Sequence, residues 1–417
     1  MCKAKIVLSH SGKQHSYQVA RALDALGMLD RFYTSSYITN KKLQQWLISR
    51  NDQYWTRRFV KGLGGSKVSA NWRFELPEVF WRLKEGKSPR AQRAVYRRDE
   101  QFDAYVAARL KRHHGAKVFW GFQGSCHSSL KTAHVLGMEA WCELATAHVT
   151  AAQRILGEEA RLQPKWAETI DNLIFPAAYQ KRLEEEPHLA TKVLAASEFT
   201  KNTLLEVGIA AEKIDILPLG CDIEHVPYLE SDVSDFPQRP LRVLYAGTLT
   251  QRKGLSYLLE AMVALKQHVL AKEVEFHFIG GIQGNTSLIQ PYLRLMHYHN
   301  PISQTELFKR YNQYDVLLLP TIFEGFGLVI VEAMAAGLPV ITTPHSIGPE
   351  LINNGSNGFI IPIRDARAIE KAIIKIRNMD SDSYMQMRKA ARKAAENYSW
   401  QTYSQRLEAM LLREDLI

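Results

Sequence analysis

Two carboxylates bracket a glycine turn in the stretch Pro320 to Pro339, PTIFEGFGLVIVEAMAAGLP. Glu324 stands just before Gly325 and Gly327, and Glu332 lies inside the apolar run that follows. The residues ahead of the turn, Asp315-Val316-Leu317-Leu318-Leu319, read as a short buried strand, and Gly337 with Pro339 reads as a helix stop. Strand, glycine loop and helix start together make a phosphate site, because the first N–H groups of a helix lack intrahelical acceptors and the dipole there is positive. Carboxylates accept hydrogen bonds from hydroxyls. The arrangement suits a phosphate lying between two hydroxyl-rich rings, which is the make-up of a nucleotide-sugar. Near the positive end of its helix, Glu332 is expected to stay ionised.

The elements that must hold these groups alternate along the chain. In the C-terminal half, Leu241 to Ala246 and Val274 to Ile279 read as strands, with a helical stripe through Leu255, Leu258, Leu259, Met262 and Leu265 between them. A helix from about Gln304 to Tyr311 precedes the Asp315 strand, and Val340-Ile341 and Phe359 to Ile361 supply further strands. In the N-terminal half the strand signals are Lys5 to Ser9, Lys117 to Trp120, Glu139 to Leu144 and Val193 to Ala196. Such alternation implies α/β architecture with parallel sheets covered on both faces and ligands at the C-terminal strand ends. Ser231 to Pro240, acidic and proline-containing, reads as the connection between halves.

A chain of 417 residues exceeds the usual single core, so two domains are expected. No apolar run is long enough to span a membrane, there is no sign of export, and the four cysteines form no CxxC pair or metal-type spacing. These features point to the cytoplasm. The charge of +10 is lopsided: Lys41 to Arg98 carries 15 Lys and Arg against 4 Asp and Glu, with four of the eight tryptophans. Basic residues mixed with indoles suit an anionic lipid surface, and a solvated helical insert with inward aromatics is the competing reading. No nucleic-acid fold motif accompanies the charge, so no nucleic-acid partner is expected.

The blocks VLAASEFTKNTLLEVGIAAEKIDILPLGCD, LYAGTLTQRKGLSYLLEA, EGFGLVIVEAMAAGLPVI and PELINNGSNGFIIPIRD resemble the successive motifs of glycosyltransferase family 4, and Ser399-Trp400 resembles its closing segment. The resemblance implies a GT-B fold, two Rossmann-like domains facing across a cleft, with retention of anomeric configuration. It implies an acceptor-binding domain over 1–225 with the basic aromatic insert at about 41–98. A nucleotide-sugar domain over 236–398 follows, and then a helix over 399–417 that returns to the first domain.

By the same resemblance Glu324 touches the donor sugar and Glu332 the ribose, with backbone amides of Gly325, Phe326, Gly327, Leu328 and Val329 on sugar and phosphate. Lys253 is expected to neutralise charge on the departing diphosphate, an electrostatic effect that can dominate catalysis. The family's more frequent arginine, five residues before that lysine, is Thr248 here, so Arg252 is assigned the second cation. His148 resembles the histidine near the transferred sugar, with His127 its rival. Gly12 and Lys13 are placed on the diphosphate from the opposite side of the cleft, with a single glycine where the family has a pair; His10 and His15 are left open. Asp380-Ser381-Asp382 matches a DxD string but reads as a helix cap, and no metal or other cofactor is required. The expected activity is retaining transfer of a hexose from a UDP- or GDP-sugar to a hydroxyl. The basic, tryptophan-rich insert points to a lipid-linked saccharide or envelope polysaccharide as acceptor and to peripheral contact with the inner face of the plasma membrane. An inactive GT-B binding module and an epimerase-like enzyme are the alternatives.

Overall fold

The computed structural model describes residues 3–50, 53–86, 88–170, 174–229 and 235–417. The first sheet holds β1 (Lys5–His10), β2 (Leu29–Thr34), β3 (Val68–Ala70), β4 (Ala116–Phe122), β5 (Glu139–Leu144), β6 (Lys192–Ala195) and β7 (Ile214–Ile216). The second holds β8 (Leu241–Ala246), β9 (Val274–Ile279), β10 (His297–His299), β11 (Val316–Leu319), β12 (Val340–Thr342) and β13 (Gly358–Ile360). Their orders are β3-β2-β1-β4-β5-β6-β7 and β10-β9-β8-β11-β12-β13, and every named pair is parallel. Strands such as β11, buried at every position, are apolar throughout because helices cover both faces.

In each sheet the chain winds outward one way, returns, and winds the other. The order reverses between β1 and β4 and between β8 and β11. At such a switch point the loops leaving neighbouring strands part and open a crevice at the C-terminal strand ends.

The helices used below are α1 (Ser16–Ala25), α2 (Lys41–Ser49), α3 (Leu76–Glu85), α4 (Pro89–Leu110), α5 (Val149–Leu162), α6 (Leu255–Ala264), α7 (Gln304–Arg310), α8 (Leu328–Ala335), α9 (Ser381–Glu396) and α10 (Trp400–Arg413). The basic segment 41–98 is not purely the helical insert expected. Val68–Ala70 pairs with β2 as the edge strand of the first sheet, and Leu47, Phe59, Leu63 and Val68 join that sheet's core. Its apolar residues complete the fold while its charges stay outside.

The connection between halves is held at its second end. Residues 230–234 lie outside those described, but Phe236 is buried and stacks on Tyr384 of α9 at 4.2 Å, so this end of the segment is anchored in the second core. Helix α10 leaves the second lobe and lays Tyr403, Leu407, Met410 and Leu411 into the core of the first. The four recur at helical spacing, one apolar stripe on one face. Where the chain turns into α10, Gly220 lies so close to the Trp400 ring that a Cβ would stand 2.5 Å from it.

Candidate active site

The loops leaving β1, β5, β8 and β11 carry residues singled out from the sequence. After β8 the chain makes a tight turn, Gln251 to Lys253, and passes through Gly254 at φ +73° into α6. A left-handed conformation there favours glycine. Arg252 is directed at the other loop of this lobe: its Nη1 donates to Phe323 O (2.9 Å) and Glu324 Oε2 (2.8 Å). The backbone carbonyl of Arg252 accepts from the amides of Ile322 (2.9 Å) and Phe323 (3.2 Å). The β8 and β11 loops are thus one unit. Lys253 folds back over the end of β8, where a Cβ on Gly247 would stand 2.6 Å from its Nζ.

After β11, Gly327 at φ +88° starts α8. Leu328 and Val329 form the first turn, whose amides have no intrahelical acceptor. Phe326 is buried among the core side chains beside Tyr398, so its side chain packs, and only its backbone can serve a ligand. Gly325 is where the lobes touch: its carbonyl accepts from Ser197 Oγ (2.7 Å), and a Cβ would stand 2.6 Å from Ala145 O and collide with Thr146 Cα.

Glu332 is more enclosed than a residue near an exposed helix start. It is buried, and burial pushes its carboxyl above the usual range, against the pull of hydrogen bonds from Gln304 Nε2 and Tyr311 Oη (3.1 Å) and of the Lys253 charge. Desolvation outweighs the helix dipole here because α8 packs its second turn into the protein. A carboxylate offers about four lone-pair sites, so two bound donors leave room for ligand hydroxyls.

From the first lobe, His148 caps α5 just beyond β5. Its Nδ1 accepts from Thr150 N (3.3 Å), its own amide donates to Thr203 Oγ1 (2.9 Å), and Nε2 is buried without a hydrogen-bond partner. Burial pulls the imidazole down to about 4, so it is neutral near pH 7. With Nδ1 accepting, the proton belongs on Nε2, which becomes a donor in search of an acceptor. His127, the rival, is bonded to Glu185 Oε2 at 2.7 Å on another helix.

The β1 loop is more closed than expected. The Gly12 amide donates to His10 Nδ1 (2.6 Å) and its carbonyl accepts from Thr34 Oγ1 (3.3 Å). Lys13 is half-buried, and burial lowers its pKa, with Arg57 and Arg58 adding to the effect and Asp222 opposing it. His10 is buried and held down to about 3 by burial, and His15 is bonded to the buried Glu143. Asp380 caps α9, its carboxylate accepting from Ser383 N at 2.7 Å.

Sequence reasoning passed over the walls of the cleft. A cavity of about 1400 Å³ lies between the lobes, lined on one side by Gly247, Thr248, Gly280 and Gly281 and on the other by Arg93 and Tyr96 of α4. A Cβ at Gly280 would overlap the Gly247 carbonyl, so these glycines let β8 and β9 end side by side at the cavity floor. Glycines directly after strands were the available signal.

Residues 229–394 match the family described as "Glycosyl transferases group 1". Among curated relatives, "Amylovoran biosynthesis glycosyltransferase AmsK" of Erwinia amylovora is 28% identical over 202 residues, 46% of this chain and 48% of that protein. "Putative colanic acid biosynthesis glycosyltransferase WcaL" of Escherichia coli (strain K12) is 28% identical over 229 residues, 52% and 56% of the two chains. The chain spans about half the length of these relatives. Among solved structures, Anabaena Alr3699/HepE in complex with UDP superposes with a TM-score of 0.63 at 16% identity, covering 98% of this chain and 100% of that one. Two parallel sheets, each with its switch point facing the cleft, and this full-length superposition establish a GT-B fold, within which residues 229–394 match the glycosyl transferases group 1 family.

Proposed function

We propose that the chain is a retaining glycosyltransferase that moves a hexose from a UDP- or GDP-sugar to a hydroxyl of a lipid-linked saccharide or envelope polysaccharide. The observation that carries this reading is the unpartnered Nε2 of buried His148, set across the Gly325 contact from the linked Arg252–Glu324 loops. Relatives named for amylovoran and colanic acid biosynthesis, and a HepE structure titled as a complex with UDP and glucose, support it.

In this reading the α8 amides and Lys253 hold the diphosphate, and Glu332 receives the ribose. Arg252 positions Glu324 on the donor sugar, while His148 Nε2–H donates to a sugar oxygen. The acceptor hydroxyl attacks on the face from which the diphosphate leaves, and the departing phosphate oxygen takes the proton. No side chain then has to act as a strong base, and the scheme calls for no divalent cation. Replacing Lys253 with Ala is expected to lower kcat by roughly 10²–10³, the cost of removing one preorganised electrostatic contact. Turnover assays with UDP- and GDP-sugars check this, and an unchanged kcat removes Lys253 from the reaction.

The acceptor side is read from α3 and α4. Leu76, Phe80 and Leu83 lie on one face of α3 and are 60%, 55% and 83% exposed, too open to be core. Beside them, a cavity of about 440 Å³ is lined by Trp81 and by Arg73, Arg90, Arg93 and Arg97, and Arg93 also reaches the inter-lobe cavity. Among the described residues no helix is long and apolar enough to cross a membrane. An apolar ridge beside arginines suits a surface contact with lipid in which a phosphate sits among the guanidiniums. Phe80→Asp is expected to reduce flotation with phosphatidylglycerol vesicles, and equal flotation on neutral phosphatidylcholine would remove the electrostatic part.

A further inference from the structure

On the edge of the second sheet, away from the β8 and β11 loops, three potential metal ligands share one face. Glu275 and His277 are two apart on β9 and project to the same side, while Phe276 and Phe278 point into the core on the other. In the parallel ladder His297 of β10 is the direct partner of His277, and their rings stack at 4.6 Å. One ligand atom from each of the three lies within 4.8 Å of the others. His277 Nε2 is already 3.4 Å from Glu275 Oε2, and Arg242 approaches that carboxylate only at 3.9 Å.

We propose that Glu275, His277 and His297 form a zinc-binding site that staples edge strand β10 to β9. Tetrahedral zinc with bonds of roughly 2.0–2.2 Å holds its ligand atoms about 3.4 Å apart. The exposed His297 ring can close that gap by side-chain rotation. Two imidazoles and one carboxylate with water in the fourth position are a zinc-type donor set, whereas magnesium and calcium take oxygen ligands.

The staple has something to hold. Strand β10 is three residues long and lies at the sheet edge, fixed otherwise by its ladder and by Tyr298 Oη donating to Gly280 O (2.8 Å). Just beyond it, Pro301 and Ile302 line the inter-lobe cavity and Gln304 donates to Glu332. The site stands on strand register and side-chain chemistry alone and is independent of the transferase reading.

The test uses the untagged full chain, freed of metal with a chelator and titrated with Zn²⁺ by calorimetry. One saturable zinc per chain is expected, with a Tm that rises on zinc addition. Both effects are lost in His297→Ala, an exposed edge position whose folding is checked by circular dichroism, and are kept in His113→Ala, which removes a histidine elsewhere. Co²⁺ in place of zinc is expected to give the visible absorption of a four-coordinate ion in the wild type and His113→Ala but not in His297→Ala. Absence of saturable binding, or zinc binding unchanged in His297→Ala, overturns the proposal.

Discussion

His148 shows how one side chain's surroundings define its use. As a base whose folded pKa, about 4, lies below the ordinary value of 6.5, it resists the proton that the unfolded chain accepts. Its contribution to stability is therefore complete above about pH 6.5 and is lost as the pH falls toward 4, at up to about 1.4 kcal/mol per pH unit. His148→Asn is expected to flatten that part of the profile. Denaturant unfolding of both proteins at pH 7.5 and pH 5 measures it, and equal losses would mean that the imidazole is not the group responsible. This residue was singled out by resemblance, at the end of a strand-like segment, but the orphaned Nε2 was not legible, since it depends on the Nδ1 cap and on burial by the surrounding fold. Glu332 was legible as an acid inside its helix, but its burial was not. The dipole argument considered one helix in isolation, and Tyr311 and Gln304, brought in by other elements, enclose the carboxyl.

Six-residue strands rich in apolar, β-branched and aromatic residues were read most accurately. Leu241–Ala246, Val274–Ile279 and Glu139–Leu144 appear as strands with the bounds expected from their patterns. Missed were β2, LDRFYT, with charges inside a parallel strand, and β3, β7 and β10, each three residues long at or near a sheet edge. Such strands exist because a neighbour offers free backbone groups, which no local periodicity reports. The β11 loop carries its own prediction. Gly325 is wedged against Ala145 and Thr146, so Gly325→Ala must push the lobes apart at this contact. Overpacking of this kind costs roughly 1–3 kcal/mol. The expected outcome is a fall in kcat/KM well beyond the modest drop in Tm, and wild-type kinetics would show that the lobes need not meet at this point.

At the scale of the molecule, the lobes are held together by polar contacts across the cleft and by α10. Gln251 Nε2 donates to Glu159 Oε1 at 2.7 Å, Arg364 bonds Glu159 Oε2 at 2.7 Å, and Glu350 accepts from the Glu198 amide at 2.6 Å. Leu407 is fully buried in the first core although it lies beyond the second. Leu407→Ala is expected to cost about 2–5 kcal/mol, as large-to-small changes in packed cores do, and thermal unfolding followed by near-ultraviolet circular dichroism will register it. A loss below about 1 kcal/mol would mean that α10 rests on the lobe without completing it.

Helix α10 has one more consequence, in time instead of space. The Ala4 amide donates to Leu416 O at 2.8 Å, so the segment that opens β1 is paired with residues translated more than 400 positions later. A ribosome delivers the first lobe early, yet the face that Tyr403, Leu407, Met410 and Leu411 cover stays bare until synthesis has passed all of the second lobe. The half that emerges first is finished last, and during that interval its uncovered apolar face is the kind of surface that chaperones shield.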